Sequence, residues 1–423
     1  VDEGQGANPA TCVVPFDEYP QRIDPAQGFV LTGNNDPGNL STDNSLTNDK
    51  WYIGGPWANG YRAQAISDGL EALAKAKKAD VAGHAAVQAT HFSSLGRDWL
   101  PKLLQVVSEA KALSTSMGPK ALTAEEQRVV DLYQSATVVG RDEALARLDA
   151  WLAAGASAES GVATFYHTPA GDQVKHAVAT SLFNAWMARF VQLVLDDEKI
   201  DLWEPWGNDG RSRAITYLWA GRGAGNPKQQ ASWNPTTQES AFFDVLDTPE
   251  VETGRELMLK ALNLALADLK TAYGTSDQAQ WLWGLRHGVH FDSLLGSFLD
   301  QGSDFASLVE QFSITPATAG MDLGKDLAKL SQFPRSGDAF AVDACGGIDN
   351  HGYGSGPVFR MVIALTPGKT WGQNILPGGQ SGLTDSAHFA DQAKLWLGNQ
   401  AWPLRYEVDD VVAGATGREV FAP

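Results

Sequence analysis

A long helical middle between two strand-rich ends is the feature of this sequence that most constrains its fold. From Asp172 onward, apolar residues recur at every fourth position, which is the spacing of one helix face packed into a core. They are Val174, Val178, Leu182, Trp186, Phe190 and Val194. Residues 61–113 and 249–273 also have helical patterns, and Pro249 suits a first helical turn. Thr123 and Glu126 form a capping box that opens a further helix. We therefore predict a mainly helical region over residues 61–335.

The two ends of the chain, residues 1–60 and 336–423, have a different pattern. Residues 24–58 indicate a strand, a long loop rich in Asp, Asn and Gly, and a second strand. Residues 339–343 (AFAVD) and 358–365 alternate or run apolar as strands do, and residues 390–397 are typical of a helix. The pattern predicts an α+β fold in which a large helical region is inserted between strand-rich parts.

Composition excludes several classes of function. The formal net charge of −18 argues against nucleic acid or an anionic membrane as a partner, because a phosphate-binding face needs a basic patch. No apolar run approaches the length that spans a bilayer. The sequence has no Gly-x-Ser-x-Gly, His-Glu-x-x-His or Gly-x-x-x-x-Gly-Lys motif. The acidity and the 14 Trp suggest a carbohydrate-active enzyme as one hypothesis, but that chemistry needs a spaced carboxylate pair, and the sequence singles out none.

Four spaced motifs carry most of the functional information. They are GFVLTGNNDP at residues 28–37, WANGYRA at 57–63, GPVFRMV at 356–362 and LPGGQSG at 376–382. In this order they resemble the penicillin acylase family of N-terminal-nucleophile hydrolases, in the later part of its β subunit, from about Pro15 to about Val412. The resemblance implies a four-layer αββα sandwich with a large helical insertion, completed by strands from other chains.

Asn34 and Arg62 are the candidate catalytic residues. On pattern alone, Asn34 is a turn residue with a locally bonded side chain, and Arg62 is a charge at a strand-to-helix junction. The resemblance assigns both to catalysis. The amide N–H of Asn34 would donate to the oxyanion of a tetrahedral intermediate. The permanently charged Arg62 guanidinium would order the acceptors around the active-site amine and disfavour protonation of that amine.

The nucleophile is expected on another chain. Enzymes of this family begin their β chain with a Ser, whose hydroxyl attacks while its own α-amino group acts as the base. This chain begins with Val1, about halfway along the family's β subunit. We therefore expect two partners from the same precursor, the α subunit and an N-terminal β fragment, with a proteolytic break in the polar, Gly-rich residues 1–8. Because the family is usually exported, a periplasmic or secreted location is expected.

The loop between Asn35 and Trp51 is the candidate metal site. It carries three carboxylates, Asp36, Asp43 and Asp49. The resemblance implies one structural Ca²⁺ with a ligand from this loop, Asp49 as the better match and Asp43 as the second, and with its other oxygen ligands from the missing chain. A solvated acidic loop is the alternative. No organic cofactor is implied.

The cysteines and histidines suggest no further site. Cys12 and Cys345 fit either two free thiols or one disulfide, since sequence does not give their separation. His287 and His290 lie in a segment, WGLRHGVHF, that matches a family segment, and they are predicted to pack and hydrogen-bond rather than to bind metal.

The resemblance implies hydrolysis of a linear amide, which releases a carboxylic acid from an N-acylated amine through a Ser acyl-enzyme. The substrate classes to consider are aromatic acyl groups on a β-lactam nucleus, fatty acyl groups on homoserine lactones and acyl chains on cyclic lipopeptides. The loop at 35–51 is longer than in penicillin-cleaving members and closer to members that remove long acyl chains. The alternative is a catalytically inactive relative that acts as a binding module.

Overall fold

The computed structural model describes most of the chain and mixes helices with antiparallel sheet, as predicted for the α+β class. The described residues are 14–38, 50–51, 54–55, 57–115, 121–135, 140–198, 203–226, 231–293, 306–316, 330–343, 346–348, 351–353 and 356–421. The helices are α1 Tyr61–Ala76, α2 Val81–Gln88, α3 Ser94–Thr115, α4 Ala124–Gln134, α5 Arg141–Ala153, α6 Gly171–Leu195, α7 Trp203–Ala220, α8 Gly254–Tyr273, α9 Ala306–Gln311, α10 Ala393–Leu397 and α11 Val408–Ala413. The strands are β1 Trp233–Asn234, β2 Glu239–Ser240, β3 Gly288–Val289, β4 Phe333–Pro334, β5 Arg360–Thr366, β6 Lys369–Ile375 and β7 Trp402–Leu404.

Helix α6 is the centre of the helical core. Its predicted apolar stripe is buried from Val178 to Val194, and α6 packs mainly against α8 and α5. Trp186 and Phe190 stack with ring centroids 5.7 Å apart, and Trp99 of α3 meets Phe190 at 5.6 Å. A capping box on Thr123 and Glu126 opens α4, as predicted. The recurrence of apolar residues at every fourth position therefore identified the helix around which the helical region is built.

Helix α6 also corrects one expectation about length. Within the part of the chain that the structure describes, it is the one helix long and apolar enough to cross a membrane, so the prediction that no apolar run approaches that length was wrong. However, 83% of its apolar window is buried inside the protein. This burial favours its role as a core helix.

The C-terminal part contains a three-stranded antiparallel sheet in the order β5-β6-β7. Strand β5 lies within the predicted strand over 358–365, and α10 lies within the predicted helix over 390–397. On one face of β5, Met361, Ile363 and Leu365 are each more than 40% exposed. The sheet thus presents apolar side chains of β5 to solvent.

Two segments differ from the prediction because burial and capping override the local pattern. Residues 339–343 form a turn rather than a strand, with Phe340 at a φ of 67° and stacked on Tyr61 at 5.7 Å. Residues 339–341 are apolar because they are buried against the helical core, not because they pair. Helix α8 begins at Gly254 rather than at Pro249, since the Thr253 N–H donates to Glu256 Oε2 at 2.9 Å and starts the helix there.

The N-terminal part was predicted to be strand-rich, and its described residues contain no strand. They contain a 3₁₀ turn over Phe16–Glu18 and one isolated parallel bridge between Asn35 and Ala58. Strands are stabilised by pairing, and the extended residues 29–32 find no partner strand among the described residues. Residues 14–38 are accordingly mostly exposed.

A buried ion cluster joins the sheet to α10. Asp343 accepts hydrogen bonds from Arg335 at 2.7 Å, Arg360 at 2.5 Å and Asn399 at 2.9 Å, and it contacts His91 Nε2 at 2.8 Å. Burial alone would raise the pKa of Asp343, but the neighbouring guanidinium and imidazole groups hold that pKa well below its usual range. The cluster therefore depends on an ionised carboxylate.

Candidate functional site

The two candidate catalytic residues lie together in the folded chain. Arg62 is the second residue of α1, and its Nη2 donates to Asn34 Oδ1 at 2.8 Å and to the Gly33 carbonyl at 2.9 Å. Asn34 is exposed and Arg62 is half-buried. A side chain from the turn and a side chain from the helix thus form one unit.

The backbone of Asn34 is held in an uncommon conformation. Its φ of 62° lies in the left-handed region, which Asn adopts more readily than most residues. The Ala58 N–H donates to the Asn34 carbonyl at 2.8 Å, and the Asn34 N–H donates to Thr32 Oγ1 at 3.3 Å. The turn therefore projects the Asn34 side chain out of the loop and toward Arg62.

Gly33 allows the turn to approach α1 closely. It is buried, and a Cβ at this position would lie 2.9 Å from the Ala63 nitrogen and 3.3 Å from Arg62 Cβ. Asn35 holds the backbone of Gly33 as well, because its Oδ1 accepts from the Gly33 N–H at 3.0 Å. A larger residue at position 33 would separate the turn from the helix.

The contact with Arg62 determines which way the Asn34 amide points. A guanidinium has donors only, so the atom of Asn34 that faces it must be the oxygen. The amide nitrogen, Nδ2, is then directed away from Arg62, and it donates to no acceptor among the residues that the structure describes. The site thus presents a neutral N–H donor with unused capacity.

Arg62 also contributes a positive charge to the site. No carboxylate in the described ranges lies within ion-pair distance of its guanidinium. The guanidinium of Arg62 has further donors beyond those bonded to Gly33 and Asn34.

The Tyr61 side chain anchors the start of α1 beside this pair. Its hydroxyl donates to Asp98 Oδ2 at 2.7 Å. Burial, followed by the charge of Asp98, raises the pKa of Tyr61 above its ordinary value, so the phenol stays protonated at neutral pH. Tyr61 is thus a structural donor rather than an acid or base for the site.

The predicted metal ligands are not tested by this structure. Asp43 and Asp49 lie outside the described residues, as do Cys12 and Cys345. Within the ranges that are described, no group of three or more His, Cys, Asp or Glu side chains could hold a metal ion. His287, predicted to pack and hydrogen-bond, is fully buried and stacks on Trp283 at 4.7 Å.

Sequence reasoning missed three residues that shape the site. They are Gly33, Asn35 and Ala58, whose contacts with the turn are described above. All three lie within the motifs at 28–37 and 57–63, and Gly33 and Asn35 directly flank Asn34. Their positions inside the motifs therefore were the available signal. The role of each residue is a contact with the backbone, which the chemistry of its side chain does not predict.

Comparison with known proteins places the chain in a family. The family model for penicillin amidase matches residues 2–413. Among solved structures, the chain is similar to a thermostable penicillin G acylase from Alcaligenes faecalis in an orthorhombic form, with 15% identity and a TM-score of 0.41. That match covers 96% of this chain and 59% of the acylase chain, so this chain spans little more than half of it. No curated protein matches. On the family match over nearly its whole length, this chain belongs to the penicillin amidase family.

Proposed function

We propose that this chain supplies the oxyanion-binding part of an acylase that hydrolyses a linear amide and releases a carboxylic acid from an N-acylated amine. The observation that carries the proposal is the Arg62–Asn34 contact at 2.8 Å, which directs the Asn34 amide nitrogen away from Arg62, where no acceptor among the described residues engages it. Membership in the penicillin amidase family supports the reaction class.

A neutral amide is suited to this task. When a nucleophile attacks the amide carbonyl of the substrate, the carbonyl oxygen becomes an oxyanion that needs donors already in place. Asn34 Nδ2 would donate to that oxygen without a titration of its own, and Arg62 would keep it oriented through Oδ1. Losing one such donor typically costs about 100- to 1,000-fold in turnover.

The attacking group in this proposal is a Ser at the N-terminus of a partner chain from the same precursor. Its α-amino group, with an ordinary pKa near 8, would take the proton from the hydroxyl and later deliver it to the leaving amine. Water would then hydrolyse the acyl-enzyme. The positive charge of Arg62 would lower the pKa of that amine and favour the neutral form that acts as a base.

The partners in this proposal are the α subunit and the N-terminal β fragment. Their strands would complete a four-layer αββα sandwich and cover the exposed apolar face of β5. Met361, Ile363 and Leu365 on that face are the support from this chain. The same proposal includes a periplasmic or secreted location and proteolytic processing of the precursor.

The proposal includes one structural Ca²⁺, with Asp49 as the preferred ligand from this chain and Asp43 as the second. The described residues do not by themselves supply a set of oxygen ligands, so no catalytic step is assigned to the ion. Metal analysis of the dialysed, purified enzyme tests this. A stoichiometric Ca²⁺ that is lost in Asp49→Asn supports it, and a metal-free enzyme contradicts it.

Two measurements test the proposed reaction. Mass analysis of the mature enzyme should find a partner chain that begins with Ser, and a first residue other than Ser, Thr or Cys would favour the inactive binding module. A panel of p-nitroanilides graded by acyl length and aromaticity should then release p-nitroaniline for at least one acyl class. Failure across phenylacetyl and long-chain acyl anilides alike would contradict amide hydrolysis.

A further inference from the structure

Asn59 connects the Asn34–Arg62 pair to helix α7. Its N–H donates to Asp209 Oδ1 at 2.9 Å, and its Nδ2 donates to Ser212 Oγ at 2.7 Å. Its Oδ1 accepts from the Tyr61 N–H at 3.2 Å, which orders the first turn of α1. The residue therefore bonds to both α1 and α7, and it lies in the short connection between Ala58 and Arg62 that holds Asn34.

Each hydrogen bond around Asn59 has a fixed direction. Ser212 Oγ donates to the Asp209 carbonyl at 3.1 Å, so it offers a lone pair, not a proton, to Asn59. The amide of Asn59 meets both demands at once, because its nitrogen donates to Ser212 and its oxygen accepts from the Tyr61 N–H. An Asp at position 59 would turn the donor into a second carboxylate beside Asp209.

Helix α7, to which Asn59 bonds, is itself held by buried contacts. Asp209 and Ser212 are three residues apart and lie on neighbouring positions of one helix face. Ser212 is 1% exposed, and Ile215, three residues farther along, is fully buried. At the start of the same stretch, Asn208 Oδ1 accepts from the Ile348 N–H at 2.9 Å. The segment that holds Asn59 is thus packed into the core.

We propose that Asn59 is a positioning residue that fixes the Asn34 donor and Arg62 relative to each other by tying their connection to α7. The Ala58 N–H, which holds the Asn34 carbonyl at 2.8 Å, belongs to the residue directly before Asn59. Arg62 follows three residues later. This proposal rests on the proposed function, in which the donor must lie within about 3 Å of the developing oxyanion. A misplacement of about 1 Å can cost roughly 100-fold in rate.

Replacement of Asn59 in the full-length precursor tests the proposal. In the mature Asn59→Ala enzyme, kcat should fall about 10- to 100-fold while KM changes less than about threefold, because the donor acts in the transition state. The matched control is Asn226→Ala, beyond the other end of α7. Among its contacts with described residues, it also removes side-chain hydrogen bonds to the Ala220 and Arg222 carbonyls, both at 3.0 Å. The control should lower the melting temperature and leave kcat unchanged.

A double-mutant cycle separates positioning from general destabilisation. In the Asn34→Ala background, Asn59→Ala should lower kcat less than about threefold further, because the group it positions is already gone. Equal losses of kcat in both backgrounds, or an unchanged kcat in Asn59→Ala, would overturn the positioning role. If Asn59→Ala is not processed, Ser212→Ala takes its place with the same readouts. A full kcat in Asn34→Ala itself would instead contradict the proposed function.

Discussion

Arg62 and Asn34 lie 28 residues apart in the chain, and the Arg62 guanidinium donates to Asn34 Oδ1 at 2.8 Å. This contact decides the orientation of the Asn34 amide, because guanidinium nitrogens cannot accept. The same nitrogen of Arg62 also donates to the Gly33 carbonyl, so the turn is held at two consecutive residues. The pair therefore acts as one preorganised donor, and its parts can be tested separately.

Asn34→Ala should reduce kcat about 100- to 1,000-fold and leave KM nearly unchanged, because the lost hydrogen bond forms in the transition state. Asn34→Asp should be no better, since a carboxylate would place negative charge against the oxyanion. Steady-state kinetics on the best anilide substrate measure both. Asn35→Ala is the control and should act mainly through stability, because its side chain bonds to the Gly33 N–H. Activity of Asn34→Ala within a few-fold of wild type would reject the assignment.

Arg62→Ala should reduce kcat by about 100-fold, because the Asn34 amide loses the group that orients it. It should also move the acid limb of the kcat/KM profile to higher pH. Removal of a nearby positive charge stabilises the protonated amine, so the pKa of the base rises and the neutral form appears later. Arg62→Lys keeps the charge and should largely preserve the position of that limb. An acid limb at the same pH in Arg62→Ala would show that Arg62 does not face the base.

Gly33→Ala should separate the turn from α1, since its Cβ would lie 2.9 Å from the Ala63 backbone nitrogen. We expect destabilisation of about 1–3 kcal/mol, as for other overpacked sites, together with a loss of turnover. Gly171→Ala is the matched control, because Gly171 begins α6 and has open space around its Cβ position. That change should leave activity unaltered. Denaturant unfolding and steady-state kinetics measure both variants. Equal stability and equal activity of Gly33→Ala and Gly171→Ala would contradict the close-approach argument.

Asp343→Asn should destabilise the enzyme by about 3–5 kcal/mol, because two buried guanidinium groups lose their counter-charge. The folded-state pKa of Asp343 is lowered, so its contribution is fully present above the unfolded value of about 4 and is lost only as the pH falls through the folded value. Protonation of Asp343 itself should therefore add no pH dependence to the stability difference between pH 5 and pH 8. Asp410→Asn, in an exposed pair with Lys369, should cost less than about 1 kcal/mol.

Asp338 should produce the opposite pH dependence. It is fully buried, and burial raises its pKa to about 7, although Ser93 Oγ donates to it at 2.5 Å. Its folded pKa therefore exceeds the unfolded value of about 4, and stability is lost as the pH rises from about 4 to about 7. The stability of Asp338→Asn relative to wild type should increase over that window by roughly 1.4 kcal/mol per pH unit. A pH-independent difference in denaturant unfolding would contradict this.

The amino-acid sequence by itself determined the elements whose signal is local. Apolar residues recur at every fourth position of α6, and Thr123 and Glu126 form a capping box. Both features are local to one segment of the chain, and both appear in the structure. The motifs at 28–37 and 57–63 carry the family resemblance, and the catalytic roles that it gives Asn34 and Arg62 stay predictions. The two helical signals each depend on spacing along one continuous segment of the chain.

The tertiary structure decided which distant residues contact each other. Residues 339–343 have the apolar pattern of a strand, but the helical core buries them as a turn, and Asp343 meets Arg335 and Arg360 there. The predicted strands before residue 60 depend on partners that the described chain does not provide. The direction of the Asn34 amide and its support through Asn59 come from contacts 28 and about 150 residues away in sequence. Local pattern cannot encode such contacts, because they are set by how distant segments pack.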